Sequence, residues 1–401
     1  MPGSAGRRLR VAPVALTVLL LIKVGFFLDR RAFLQFAAAS PLIGSVPGTR
    51  SVPHYRICTR DSLPRGTSLP RRYPGQAVRV QADRAVNTAS NTIDTPTVRT
   101  MLARGMRELT GAEHDRDAWA GFISPHDVVG IKVNCSGAPQ IHSSPELILA
   151  IVENLLAVGV KPQNIYIYDR FANQMQIVKY SECVAKGVQI ATAEHSRGSI
   201  LGYDPFTYVE VDFFGEDDTR SNLFRPVTEK FTKIINVPTM KEHRAAGVTG
   251  CLKNLAYGSF SNVARSHQRE VSNTYSFIGT LASVEPLHSR TVLNVMDGLR
   301  SLWHGGPFLQ SPQFLFYPKR IVLGTDPVAM DHFLIEMIEA KRKEEGAPSL
   351  FDRSPERLRK GPELDKNFNS FIREPGHVEY AGQLGLGIYN RAEIKEKIVQ
   401  L

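Results

Sequence analysis

Short apolar runs, each closed by Asn, Asp, Lys or Gly, recur four or five times between residues 76 and 326. Gln76 to Gln81 alternates around Val78 and Val80, the period of a strand. Thr97 to Leu109 carries Val98, Met101, Leu102, Met106 and Leu109 at helical spacing, with Pro96 before it and Gly111 after it. Asp127 to Val133 is apolar and β-branched and predicts a buried strand. A helix follows. Ser144 stands at its cap, Pro145 at its first position and Glu146 in its first turn, and Gly159 ends it. Its apolar face is Leu147, Ile148, Ile151, Val152, Leu155 and Leu156. Asn164 to Tyr168 is the next strand, ending at Asp169. Two strands joined through a helix lie parallel, so Lys132, Asn134, Cys135, Asp169 and Arg170 are expected along one edge of a sheet.

The centre of the chain is Ile234 to Asn254. A short apolar strand (Ile234, Ile235, Val237) breaks at Pro238 into a polar loop holding Lys241, His243, Arg244, Lys253 and Asn254, punctuated by Gly247 and Gly250. Further strands are expected at Val188–Ala191, Tyr208–Phe213, Thr291–Met296 (closed by Asp297 and Gly298) and Arg320–Leu323. Gly215 to Asp218 reads as a solvated acidic turn. Asp326 before Pro327 is placed to cap an amphipathic helix running to about Lys343. The tail from Gly346 is charged and rich in Pro and Gly, regaining order at Tyr380–Gly387 and in a final helix, Arg391–Leu401. The pattern predicts an α/β fold: a mainly parallel sheet with helices on both faces, in one or two lobes. The expected divisions are 1–50 as export signal or membrane anchor, 51–75 as linker, 76–343 as core domain and 344–401 as a segment packing on the core.

Composition changes this picture in two places. The net charge of +10 suggests nucleic acid or an acidic membrane as partner. Yet residues 1–50 hold Arg7, Arg8, Arg10, Lys23, Arg30, Arg31 and Arg50 against Asp29 alone. Without them 42 basic and 38 acidic residues remain, a net charge of +4. With no arginine-rich arm and no interleaving of basic and aromatic residues, nucleic acid is not an expected partner. Within the same segment, Arg30-Arg31-Ala-Phe-Leu opens an alanine-rich apolar run and resembles a bacterial twin-arginine export signal. Asp29 and Gln35 depart from its usual flanks. Upstream, Val11–Leu28 is an apolar run interrupted by Pro13 and Lys23, open to reading as an anchor, as a secretory signal, or as sequence upstream of a later translation start. The expected partners are the twin-arginine export machinery and a small anionic ligand. The membrane enters only through a retained leader, and the expected location is periplasmic or otherwise extracytoplasmic. Four scattered cysteines (Cys58, Cys135, Cys183, Cys251) include no Cys-x-x-Cys.

Lys132-Val-Asn134, Ser144-Pro145-Glu146-Leu147, Asn236-Val-Pro238, Lys241-x-His243, Thr249-Gly250, Leu252-Lys253-Asn254, His267, Val295-Met-Asp297-Gly298 and Gly324-Thr325-Asp326-Pro327 occur in that order. Together they resemble the bacterial and archaeal proteins grouped as domain of unknown function 362, over about residues 76 to 343. Leu384 to Gly387 resembles that family's closing Gly-Leu-Gly. Some of its members carry a cysteine-rich iron–sulfur segment. This chain has no such segment, so no intrinsic cluster is expected, and the resemblance supplies no reaction.

The residue types themselves suggest chemistry. Lys241 and Lys253 can hold a phosphate or carboxylate, and His243 can move a proton. Those three are the expected catalytic residues, with Lys132, Asn134, Arg244, Asn254 and His267 binding substrate. Gly247 and Gly250 could add backbone N–H groups, and Asn134 and Asn254 side-chain donors. Asp169 and Asp297 are the expected ligands should a divalent metal bind. Cys135 and Cys251 could meet as a redox pair or a soft-metal site. Lysine with histidine suits proton transfer next to a carboxylate or metal-assisted hydrolysis by an enzyme. A non-catalytic binding protein, or an accessory to a redox partner, could use the same pocket.

Overall fold

A computed structural model describes residues 52–60, 72–194, 201–267, 273–352 and 374–401. The leader, including Arg30 and Arg31, lies outside the described residues, as does linker segment 61–71.

The strands are β1 (Arg56–Cys58), β2 (Gln76–Gln81), β3 (Val129–Lys132), β4 (Ile165–Phe171), β5 (Gln189–Glu194), β6 (Tyr203–Glu210), β7 (Arg220–Phe224), β8 (Lys233–Asn236), β9 (Thr291–Gly298), β10 (Arg320–Gly324) and β11 (Lys395–Gln400). The main helices are α1 (Thr95–Thr110), α2 (Pro145–Val158), α3 (Cys251–Ser259), α4 (Thr274–Ala282), α5 (Pro327–Glu344) and α6 (Gly376–Gln383). Eight strands form one sheet in the order β11-β2-β10-β9-β8-β3-β4-β5. Seven of them point the same way, and only β10 runs against its neighbours.

The sheet is buried on both faces, as a parallel sheet must be. Alternate residues serve different layers: Ile234, Met296 and Val322 pack into one core, Ile235, Val295, Ile321 and Leu323 into the other. Helices α1 and α2 cover the second face, and α3 to α6 the first. The small antiparallel sheet β1-β6-β7 has no separate core, because Val209, Leu223 and Phe224 join the cluster that holds Ile234 and Met296. The described body is therefore one lobe.

Chain order fixes where a crevice opens. From β3 the chain steps outward to β4 and β5, then returns to β8 on the other side of β3 and continues to β9. Beyond the carboxyl ends of β3 and β8 the connections diverge, and open α/β sheets bind ligands at such a point. Lys132, the last residue of β3, pairs in register with Asn236, the last of β8.

Asp326 does cap α5, accepting from the N–H groups of Val328 at 3.1 Å and Ala329 at 2.9 Å. The same carboxylate also accepts from Gly75 and Ile388, so it fastens the linker and the C-terminal segment to the helix.

Several local expectations are corrected. The final helix is a strand: Lys395–Gln400 pairs parallel with β2 at the sheet edge. Its Lys and Glu side chains favour helix locally, but β2 offers an unpaired row of backbone groups, and charges suit an edge. The linker also carries structure, since Arg56–Cys58 pairs antiparallel with β6. Ser144 occupies the cap position of α2 without a side-chain bond to the helix, and its own N–H donates to the Asp297 carboxylate at 2.7 Å. The acidic turn is anchored as well as solvated: Glu216 accepts from the N–H groups of Phe213 and Phe214 and pairs with Arg265.

Candidate functional site

Past Asn236 the backbone runs beside β9, with Thr239 bridging Asp297. It then turns through a short hairpin in which Glu242 faces Val248 and His243 faces Gly247. Lys253 and Asn254 are not in this loop. They lie on α3, which begins at Cys251. Gly250 is needed at the cap because a β-carbon there would overlap the Asp331 carboxylate, which accepts from the Cys251 N–H at 2.6 Å and the Leu252 N–H at 3.1 Å. Asp331, not a ligand, occupies this helix terminus. The sequence reading missed it, since it lies far along the chain on α5. Burial pushes its carboxyl up to about 7.

A cavity of about 420 Å³ opens between these elements. Lys132, Asn134, Asp169, Lys241, His243, Arg244, Lys253, Asn254 and His267 all line it, together with Arg170, Thr249 and Tyr257. Asp297 does not. Its carboxylate accepts from Ser144 and Leu299, below the cavity wall. Asp169 does line the cavity, but Lys132 Nζ, the Arg170 N–H and the Cys135 N–H hold its oxygens at 2.8–2.9 Å. Among the described residues no three His, Cys, Asp or Glu side chains are grouped to hold a metal ion.

The floor is a connected amide network. Lys132 Nζ donates to Asp169 Oδ1 at 2.9 Å and to Asn254 Oδ1 at 3.1 Å. Asn134 Nδ2 donates to the same Asn254 oxygen at 3.1 Å. Asn254 Nδ2 donates to Asn236 Oδ1, and Asn236 Nδ2 to Asn294 Oδ1, both at 2.8 Å. Asn134 Oδ1 in turn accepts from Thr239 and, at 2.9 Å, from Lys241 Nζ. The fully buried Lys132 is thus charge-paired and bonded, the condition under which a buried charge is tolerable. Gly258 on α3 leaves room for it, because a β-carbon there would overlap the Lys132 side chain. Asn236 and Asn294 extend the floor beyond the residues expected from the sequence; a buried Asn in an otherwise apolar strand is the available signal.

The remaining cations are differently placed. Lys241 is fully buried and donates to Asn134 Oδ1 and to the Ser136 carbonyl. Lys253 is 7% exposed, and its ammonium lies 4.5 Å from the centroid of the Tyr257 ring. Burial pushes both lysines down to about 7, and for Lys253 the neighbouring Lys241 and Lys132 add to the effect. The one acid lining the cavity among the described residues, Asp169, is paired with Lys132. Of the five basic side chains lining the cavity, Lys132 pairs with Asp169 and Arg170 with Glu194, which lies outside the lining.

Two histidines sit beside them, with ring centroids 5.3 Å apart. His243 Nδ1 accepts from the Ala245 N–H at 3.1 Å. His267 stands edge-on to Tyr257 at 5.1 Å, and burial followed by the Lys253 charge pushes it down to about 3. Cys135 and Cys251 are both free and buried in different surroundings. The first faces Met175 and Tyr180, and the second lies at the Asp331 end of α3. Burial raises both thiols well above the usual range.

Fold and site together define an α/β protein with a cationic, amide-floored cavity at the carboxyl edge of its sheet. The model of the domain of unknown function DUF362 matches residues 129–336, more than half of the chain, and the protein belongs to that family. No curated protein matches it. A crystal structure of a Thermotoga maritima protein is similar at a TM-score of 0.35 and 9% identity, covering 63% of this chain and 59% of that one. No helix among the described residues is long and apolar enough to cross a membrane.

Proposed function

We propose that this chain is an enzyme acting on a small anion, exported by the twin-arginine route through Arg30 and Arg31 and working outside the cytoplasm. Lys253 and Lys241 hold the anion, and His243 moves a proton to or from it. Lys132, Asn134 and Asn254 form a rigid floor that orients it, with Arg244 and His267 completing the walls. The observation that carries the reading is Lys253, a buried ammonium in a cavity whose one described carboxylate is already paired with Lys132. A buried charge without a partner is unfavourable for folding, and an anionic ligand supplies that partner.

Non-catalytic capture of the same anion is the second reading, and the saturated amide floor favours it, since a preorganised receptor needs nothing more.

A thermal-shift series with phosphate, malate and succinate tests anion binding. Stabilisation of the parent that disappears in Lys253→Met supports it, and an undiminished response in that variant refutes it. Turnover lost in His243→Gln with binding retained separates enzyme from receptor. Replacing Arg30 and Arg31 by Lys is expected to block export, and continued export would overturn that part.

A further inference from the structure

Lys253 and Tyr257, one helical turn apart on α3, share a face of that helix. Both line the cavity, and the Lys253 nitrogen lies over the Tyr257 ring. The three lysines of the cavity differ in what their nitrogens are free to do. Lys132 uses all of its N–H donors, on the Val133 carbonyl, Asp169 and Asn254. Lys241 is fully buried and held by Asn134 and the Ser136 carbonyl. Lys253 has neither a hydrogen bond nor an ion pair among the described residues. Its nitrogen, unlike Thr249 Oγ1 and His267 Nε2, is not sealed and keeps surface open to the cavity.

A buried amine held near other cations gives up its charge and becomes a nucleophile. At Lys253 burial and the Lys241 and Lys132 charges outweigh the attraction of the Tyr257 face, and the group titrates at about 7. At pH 8 about nine-tenths of it is then free amine, against on the order of 0.4% for an exposed lysine. The amine attacks a carbonyl carbon, and the basic lining of Lys132, Arg170, Lys241 and Arg244 favours a substrate that is also an anion. A carboxylate next to the carbonyl meets both conditions, because it stays beside the nitrogen after the two have joined.

We infer that Lys253 is a nucleophile that condenses with the ketone of a small 2-oxo carboxylate to form an imine. That assignment, which rests on the anion reading above, gives it a substrate class. The nitrogen lone pair attacks the ketone carbon, and the nitrogen proton passes to the oxygen, giving a carbinolamine. The hydroxyl takes up one proton from solvent and leaves as water while the nitrogen lone pair forms the C=N bond. The protonated imine carries the positive charge that pairs with the carboxylate. It also draws electrons from the carbon on the far side of the former ketone, where the proton transfer assigned to His243 then acts. The cavity of about 420 Å³ admits an acid of this size.

Reductive trapping tests the assignment, since cyanoborohydride converts an imine into a permanent secondary amine. The full chain is treated at pH 8 with pyruvate, 2-oxobutanoate or 2-oxoglutarate and the reductant, then digested and mapped by mass spectrometry. At least one acid is expected to label Lys253 on the order of a hundredfold more than any exposed lysine. The label is expected to vanish in Lys253→Met, and mapping of the parent locates it even if that variant fails to fold. No adduct on Lys253 with all three acids, or one no greater than on exposed lysines, overturns the assignment. Acetone keeps the ketone and lacks the carboxylate, and is expected to label Lys253 about tenfold less at equal concentration. Equal labelling by acetone overturns the substrate class. Calorimetry with succinate, which cannot form an imine, separates the two readings. Succinate binding without any adduct removes the covalent step and leaves anion capture standing, whereas neither binding nor adduct overturns both.

Discussion

Replacing Lys253 by Met is expected to make the protein more stable and unable to bind its anion. The substitution keeps an unbranched side chain over Tyr257 and removes the buried charge. In the folded chain Lys253 titrates at about 7, against 10.5 for a free lysine. Between those values the unfolded chain binds more protons than the folded one, so the stability of the parent rises with pH across that window. Each pH unit contributes about 1.4 kcal/mol per lysine. The full shift from 10.5 to about 7 corresponds to on the order of 5 kcal/mol, present below pH 7 and gone near pH 10.5. Chemical denaturation of parent and Lys253→Met at pH 6, 8 and 10 measures it. The variant is expected to be several kcal/mol more stable at pH 6, with the gap closing by pH 10, and its stability to depend less on pH. A variant less stable than the parent at pH 6 would refute the reasoning, as would two parallel pH profiles. Retaining a lysine that weakens the fold makes sense where the charge serves a ligand.

Other outcomes follow from individual contacts. Gly258→Ala forces a methyl into the Lys132 side chain; a loss of roughly 3 kcal/mol in denaturant unfolding is expected, together with loss of anion binding. Asp326→Ala removes an acceptor shared by Gly75, Val328, Ala329 and Ile388. It is expected to cost about 2–4 kcal/mol and to expose the C-terminal segment to limited proteolysis, since a cap alone is worth about 1 kcal/mol and further buried N–H groups are orphaned. Brief alkylation of the native protein should modify the half-buried Cys58 and Cys183 before the buried Cys135 and Cys251, with peptide mass mapping as the readout.

Much of the site could be read from the sequence because strand ends announce themselves. Apolar runs closing at Lys132, Asp169 and Asn236 located the crevice, and the parallel connection through α2 placed Lys132, Asn134 and Asp169 on one edge. Gly247 and Gly250 conceal the start of α3, so the local pattern places Lys253 and Asn254 in a loop. Gly250 is there because Asp331, far along the chain on α5, packs against it, and no local pattern reveals that. Asp297 looked like a site residue because it ends a strand. β9 lies one strand further from the divergence between β3 and β8, and there the carboxylate binds the start of α2. The edge strand β11 was missed because pairing with β2, a tertiary fact, overrides the helical preference of Lys and Glu.

Proton uptake on binding tests most directly whether buried lysines hold the anion. With Lys241 and Lys253 both titrating at about 7, they are mostly neutral at pH 8 in the free protein and must be charged to pair with an anion. Calorimetric titration of malate at pH 8, in two buffers of different ionisation enthalpy, is expected to show uptake of one to two protons, falling toward zero at pH 5.5. Binding at pH 8 with no proton uptake would contradict the assignment of these lysines as the anion's partners.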